Sequence, residues 1–86
     1  MMVDDTIRDL LAKHGRLKVD ANRLGATDDL YRSGLTSHAS VNLMLALEDE
    51  FDVEFAERLL RRSTFESIER IRSALHELGV VEPETE

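Results

Sequence analysis

Apolar positions along the chain recur with a helical period in three stretches, and two segments without any period separate them. The first stretch carries Ile7, Leu10 and Leu11 at the i, i+3, i+4 spacing of one buried face. Asp4 and Asp5 are available to cap it, and Gly15 after His14 is the natural residue to end it. From Arg16 to Thr36 the period fades, broken by Gly25 and Gly34, with one possible helical turn from Asp28 to Arg32 capped by Asp28. A loop of that length in a small domain is commonly functional. From His38 to Phe51 the helical pattern returns without interruption, and a hydroxyl at Thr36 or Ser37 can cap it, Ser37 being the favoured cap. Phe55, Leu59 and Leu60 then allow a short third helix over Phe55 to Arg61. Ser63 with Glu66 reads as a capping box that opens the last helix, whose buried stripe is Phe65, Ile68, Ile71, Leu75 and Leu78 and whose end is Gly79.

The expected fold is therefore all-α, a four-helix bundle of three main helices and one short third helix, with a long first loop. One domain over residues 1–80 and a flexible acidic tail over 81–86, which holds Pro83 and three glutamates, complete the organisation. A chain of 86 residues cannot be divided into two self-sufficient cores. Aromatic residues are only 5% of it, and Leu, Ala, Glu and Arg are frequent, which favours helix over sheet.

Charge narrows the partners. Eleven Lys and Arg against 18 Asp and Glu leave a net charge of −7, which disfavours nucleic acid and anionic membrane, because phosphate binding needs clustered cations. With no cysteine, disulfides, thiolate nucleophiles and cysteine zinc sites drop out together. No apolar run is long enough to span a membrane, and Met1 to Arg8 does not read as a signal peptide, so a cytoplasmic protein is expected. A strongly charged surface favours a monomer.

Candidate chemistry is sparse. His14, His38 and His76 have no metal-binding spacing. The acidic run from Glu48 to Glu57 lacks the glycine that an EF-hand loop requires. Ser37 and His38 are sequence neighbours, so they do not face each other on a helix as a nucleophile and its base would. The second helix is more informative. At about 100° per residue, Leu43, Met44, Leu47 and Phe51 form one stripe, while Ser37, Val41, Leu45 and Glu48 share another that is largely turned away from it. Val41 and Leu45 either pack beneath the short third helix or the loop, or form a docking surface for another protein.

The stretch from Gly34 to Phe51 resembles the acyl carrier protein family, which has a Gly-x-Asp-Ser-Leu motif followed by a helix ending in Ala-Leu-Glu-acid-acid-Phe. Ala46-Leu47-Glu48-Asp49-Glu50-Phe51 is similar to the second half, and counting back ungapped aligns Ser37 with the family's modified serine. The resemblance implies that Ser37 bears 4′-phosphopantetheine, installed from coenzyme A by a Mg²⁺-dependent phosphopantetheinyl transferase, and that the carrier itself catalyses nothing. It implies a cargo-loading ligase and a downstream acceptor enzyme as partners. The chain also departs from the family. Thr36-Ser37-His38 stands where Asp-Ser-Leu is usual, and Ala39 and Asn42 replace acidic residues early in the helix. Charge-assisted contacts worth roughly 1.5–3 kcal/mol each where buried are lost to partners that read those carboxylates. Arg58, Arg61 and Arg62 follow the acidic run, giving a surface of mixed sign. These departures resemble the discrete carriers of specialised pathways, including those loaded with amino acids by an adenylating ligase of nonribosomal type or similar to seryl-tRNA synthetase. The expected partner face is Thr36, His38, Val41, Leu45, Glu48, Arg58, Arg61 and Arg62. The alternative is a small helical interaction module without a prosthetic group, in which Ser37 only caps its helix.

Overall fold

A computed structural model describes residues 3–80, and the acidic tail expected over 81–86 lies outside them. Among the described residues there are three α-helices and no strand. Helix α1 spans Val3–Leu10 and continues as one wider π-helical turn, Leu11–Gly15. Asp4 and Asp5 lie within its first turn rather than ahead of it, where the helix dipole favours carboxylates. Asp4 therefore does not act as the expected cap: it accepts a hydrogen bond from Arg72 at 2.7 Å and ties the two ends of the chain together. The left-handed residue that ends this helical segment is Arg16, at φ 53°, and not Gly15, which packs in the interior.

Helix α2 spans Ser37–Phe51 and α3 spans Ile68–Glu77. Leu43 and Leu47 of α2 meet Ile7 and Leu11 from the first helix and Ile68, Ile71 and Leu75 from α3 in one core, all of them sealed from solvent. Each such side chain contributes about 1.5–3 kcal/mol by leaving water. Met44 and Phe51, expected in the same stripe, are half-buried at its margin.

Three local expectations are corrected. The short third helix is reduced to a single 3₁₀ turn, Glu57–Leu59, because Leu60 at φ −86°, ψ 69° closes a tight three-residue turn in which the Arg61 amide donates to the Leu59 carbonyl at 2.9 Å. Phe55 and Leu59 are buried as expected, but that turn pushes Leu60 out, half-exposed. The second correction moves the cap of α3 from Ser63 to Ser67, whose Oγ accepts from the Arg70 amide at 3.1 Å. Ser63 belongs instead to another 3₁₀ turn, Arg62–Phe65, which buries Phe65 against Phe55 with ring centroids 5.5 Å apart. Third, the turn in the first loop is capped by Asp29, which accepts from the Tyr31 and Arg32 amides, while Asp28 accepts from the Gly25 amide. Helix α3 ends at Gly79 as expected: φ is +97°, and the amides of Gly79 and Val80 donate to the carbonyls of His76 and Leu75.

The long first loop is pinned rather than loose. Arg8 donates through Nε and Nη2 to the Leu24 carbonyl, and a capped 3₁₀ turn, Ala21–Arg23, lies just before that contact. The Lys18 amide donates to Ser33, the Leu30 amide to Glu66 and the Glu69 amide to Ala26. Gly34 then turns the chain into α2 at φ +115°, where an added Cβ would sit 2.9 Å from the Lys18 nitrogen.

Thr36, at extended φ and ψ, caps α2 by accepting from the Ala39 amide at 3.0 Å. The expected cap, Ser37, is thus the first helical residue, and among the described residues no hydrogen bond takes its Oγ.

Two pairs of substitutions test these assignments by urea denaturation. Gly34→Ala should cost about 2 kcal/mol or more, since strained backbone and a backbone clash combine, whereas Gly79→Ala, with open space around it, should cost only about 1–2 kcal/mol. Thr36→Ala should cost about 1 kcal/mol and Thr36→Asp should restore it, while Ser37→Ala should stay within about 0.5 kcal/mol of the wild type.

Candidate functional site

The start of α2 presents Thr36, Ser37 and His38 in succession, all exposed. The Ser40 hydroxyl, one turn on, donates back to the Ser37 carbonyl at 2.7 Å and holds this first turn. Beyond it Val41 and Leu45 are 50% and 53% exposed, so neither packs beneath the second loop or the first. That leaves an apolar stripe facing solvent, in line with a serine hydroxyl.

A groove of about 330 Å³ opens beside this stripe. Ser37, Val41 and Met44 of α2 line it, with Leu60 and Phe65 of the second loop opposite. Tyr31 of the first loop, Arg61 and Arg62 complete it. Arg62 lies over the Tyr31 ring at 3.8 Å from its centroid, and the phenol donates to the Arg62 carbonyl at 3.1 Å. These two contacts lock the two loops to each other. Burial pushes the Tyr31 phenol above the usual tyrosine range, against the opposing pull of the Arg62 guanidinium.

The structure divides the residues expected at the partner face. Ser37, Val41, Arg61 and Arg62 come together around the groove. Leu45 lies in a separate depression between α2 and the π turn, beside Lys13, His14, Asp49 and Glu50. Glu48 serves within the chain, since its carboxylate accepts from the Phe55 amide at 2.8 Å and shapes the loop after α2. Arg58 points to α3, where it pairs with Glu77. Tyr31, Ser40, Met44, Leu60 and Phe65 were not expected near Ser37. A helical wheel already sets Ser40 and Met44 next to Ser37, but nothing local marks Tyr31, Leu60 or Phe65.

A lone primary hydroxyl stands at a helix start, where an anion is favoured by the dipole and by unpaired amides. The described residues hold no group of His, Asp and Glu that could bind a metal ion. No described helix is long and apolar enough to cross a membrane.

Comparison with known proteins accords with this geometry. The sequence pattern described as a phosphopantetheine attachment site matches residues 5–72. An aminoacyl carrier protein from Agrobacterium fabrum is 46% identical over 70 residues, which are 81% of this chain and 84% of that protein. A crystal structure of an engineered Bradyrhizobium japonicum glycine:carrier protein ligase complexed with carrier protein from Agrobacterium tumefaciens and AMP contains a chain that superposes with a TM-score of 0.83 at 44% identity, covering 85% of this chain and 97% of that one. A second crystal structure, of the Bradyrhizobium japonicum ligase complexed with glycylated carrier protein, matches with a TM-score of 0.72 at 26% identity, over 84% of this chain and 96% of that one. The matched span takes in most of α1, the pinned loop, the groove and the first half of α3, and the chain belongs to the acyl carrier protein family, whose members bear 4′-phosphopantetheine and carry cargo rather than catalyse a reaction.

Proposed function

We propose that this protein is an aminoacyl carrier: Ser37 bears the 4′-phosphopantetheine, and an adenylating ligase loads an amino acid onto it. The observation that carries the reading is the division of labour at the start of α2. Thr36 caps the helix, so the exposed Ser37 hydroxyl is available as a nucleophile toward coenzyme A in the active site of a transferase. Its oxygen would displace the nucleotide half of coenzyme A and form a phosphodiester at the positive end of the helix dipole. The attached group supplies the thiol on which cargo is held as a thioester, a thiol that this cysteine-free chain does not have.

The remaining residues orient and present. Ser40 and Thr36 keep the first turn rigid, so the attachment point does not fray. His38, Val41 and Leu45 offer transferase, ligase and acceptor enzyme a common exposed stripe. Tethering the cargo at that stripe raises its effective concentration at whichever enzyme is docked. The amino acid reading is supported by the aminoacyl carrier protein relative and by the two ligase complexes, with glycine the first cargo to try. We place the protein in the cytoplasm as a monomer, beside the coenzyme A and ATP that attachment and adenylation use.

Incubation with coenzyme A, Mg²⁺ and a promiscuous phosphopantetheinyl transferase should add one phosphopantetheine to the wild type by intact mass, and none to Ser37→Ala or Ser37→Asp. No gain on a wild-type chain that remains folded by circular dichroism would move the assignment to the interaction module. The modified chain, given ATP, glycine and a glycine:carrier protein ligase, should then gain one glycyl group that neutral hydroxylamine removes. Failure with every amino acid and adenylating ligase, alongside acceptance of a fatty acyl group, would overturn the aminoacyl assignment and leave the carrier assignment standing.

A further inference from the structure

The second loop borders the groove along α2 and also, against α3, a smaller pocket of about 90 Å³. Ser63 and Thr64 of the 3₁₀ turn Arg62–Phe65 line this pocket together with Arg70 and Ser73 of α3, and Arg61 borders it from the loop. Leu59 and Ala74 add buried apolar surface. Three hydroxyls and two guanidinium groups thus share one small space, and among the described residues none of these five side chains takes part in a hydrogen bond or an ion pair. An unpaired arginine alone marks nothing here, since Arg16, Arg23 and Arg62 form no ion pair either. What sets this pocket apart is that two of them meet at a buried hydroxyl. Thr64 is only 6% exposed, and its oxygen has no partner among the described residues yet is not sealed off, so it opens to the pocket. Valine would pack equally well there, and a buried hydroxyl left unpaired costs stability. The one carboxylate in the lining, Glu77, is already held by Arg58, so the pocket keeps an excess of positive charge in a chain of net −7. On its other side Arg70 borders Asp29, Glu66 and Glu69 and pairs with none of them.

We propose that this pocket binds a single phosphate group, with the Arg61 and Arg70 guanidinium groups pairing its charge and the Thr64, Ser63 and Ser73 hydroxyls donating to its oxygens. Two features select that ligand. The volume is about three times the share of one water in the liquid, which gives room for one tetrahedral oxyanion and none for a nucleoside or an acyl chain. The lining is also rich in donors: guanidinium groups only donate, and each hydroxyl can donate, so the set suits a charged group that only accepts. The walls that carry these donors are held in place, since the Thr64 amide donates to the Arg61 carbonyl at 3.1 Å and the Arg70 amide to the Ser67 cap. The site stands apart from Ser37 and does not depend on its modification. Because Arg61 also lines the groove beside Ser37, a bound phosphate draws that side chain toward α3 and ties the second loop to the helix.

The test titrates inorganic phosphate, at constant ionic strength, into the full-length unmodified chain and follows its amide spectrum, so the outcome is independent of what happens at Ser37. Saturable shifts are expected at Arg61 to Thr64 and Arg70 to Ala74, with half-saturation at roughly millimolar phosphate. Arg70→Gln and Thr64→Val should each weaken binding about tenfold or more, and Arg70→Lys should keep part of it. Arg23→Gln, which removes an unpaired arginine elsewhere, should leave the titration unchanged. Arg70 is exposed, so Arg70→Gln decides the matter if Thr64→Val fails to fold by circular dichroism. Glycerol phosphate distinguishes the sources of the group: shifts at the same residues with equal or tighter half-saturation identify the phosphate end of a small metabolite, and a response to inorganic phosphate alone identifies a site for the free ion. Shifts that rise without saturating, that chloride reproduces, or that persist undiminished in Arg70→Gln would overturn the site.

Discussion

Leu30 is where the two long connections of this protein meet, and the position of Ser37 depends on it. Its side chain is sealed in the core, its amide donates to the Glu66 carbonyl at 2.7 Å, and its own carbonyl accepts from Ser33 and Leu35. A buried amide without a partner costs about 1–3 kcal/mol, so Leu30 cannot occupy the core unless the segment before α3 lies alongside it. That requirement brings the first loop against the second, stacks Tyr31 on Arg62 and aims the chain at Gly34. Five residues after Leu30 the next buried leucine, Leu35, closes the turn, and α2 begins two positions later. Ser37 is thus mounted on a rigid platform although it follows some twenty residues with almost no α-helix.

At the start of α2 two demands fall on neighbouring hydroxyls. A helix N-terminus leaves amides without partners, and a hydroxyl that satisfies one of them is held in place by it. Thr36 takes that role, and the Ser40 hydroxyl braces the same turn from within. Ser37 is left exposed with its oxygen uncommitted, on a turn that its neighbours have already made stiff. The family pattern usually has aspartate before the serine. Threonine keeps the capping oxygen without the charge, so the local fold survives the substitution while the electrostatic signature read by partners changes.

The same sorting governs the arginines. A run of them in a surface loop looks like one cluster, but the single 3₁₀ turn Glu57–Leu59 and the tight turn at Leu60 rotate them apart. Arg58 goes to Glu77 on α3, and Arg61 and Arg62 go to the groove. The acidic run is divided likewise, since Glu48 is drawn inward to hold the Phe55 amide and does not stand with its neighbours. A small domain in which most of the apolar volume is occupied by side chains has little room for a catalytic pocket.

The periods of 3.6 in the chain were enough to establish the three helices and most of the core, because a stripe at i, i+3, i+4 has only one way to leave water. Leu43, Leu47, Ile71 and Leu75 were legible for that reason, and so was Gly79, whose positive φ suits a residue without a Cβ. The spacing from Ala46-Leu47-Glu48 back to Ser37 likewise set Ser37 at the start of α2, since a helix counts residues faithfully. Caps were less so: Thr36 and Ser37, Ser63 and Ser67, Asp28 and Asp29 are chemically equivalent candidates one or a few positions apart. The choice among them depends on a φ and ψ set by packing elsewhere in the chain. The groove was legible only in part: Ser37, Val41, Arg61 and Arg62 were expected to act together, but Tyr31, Leu60 and Phe65 join them across the loops, and contacts between residues distant in sequence leave no period along the chain.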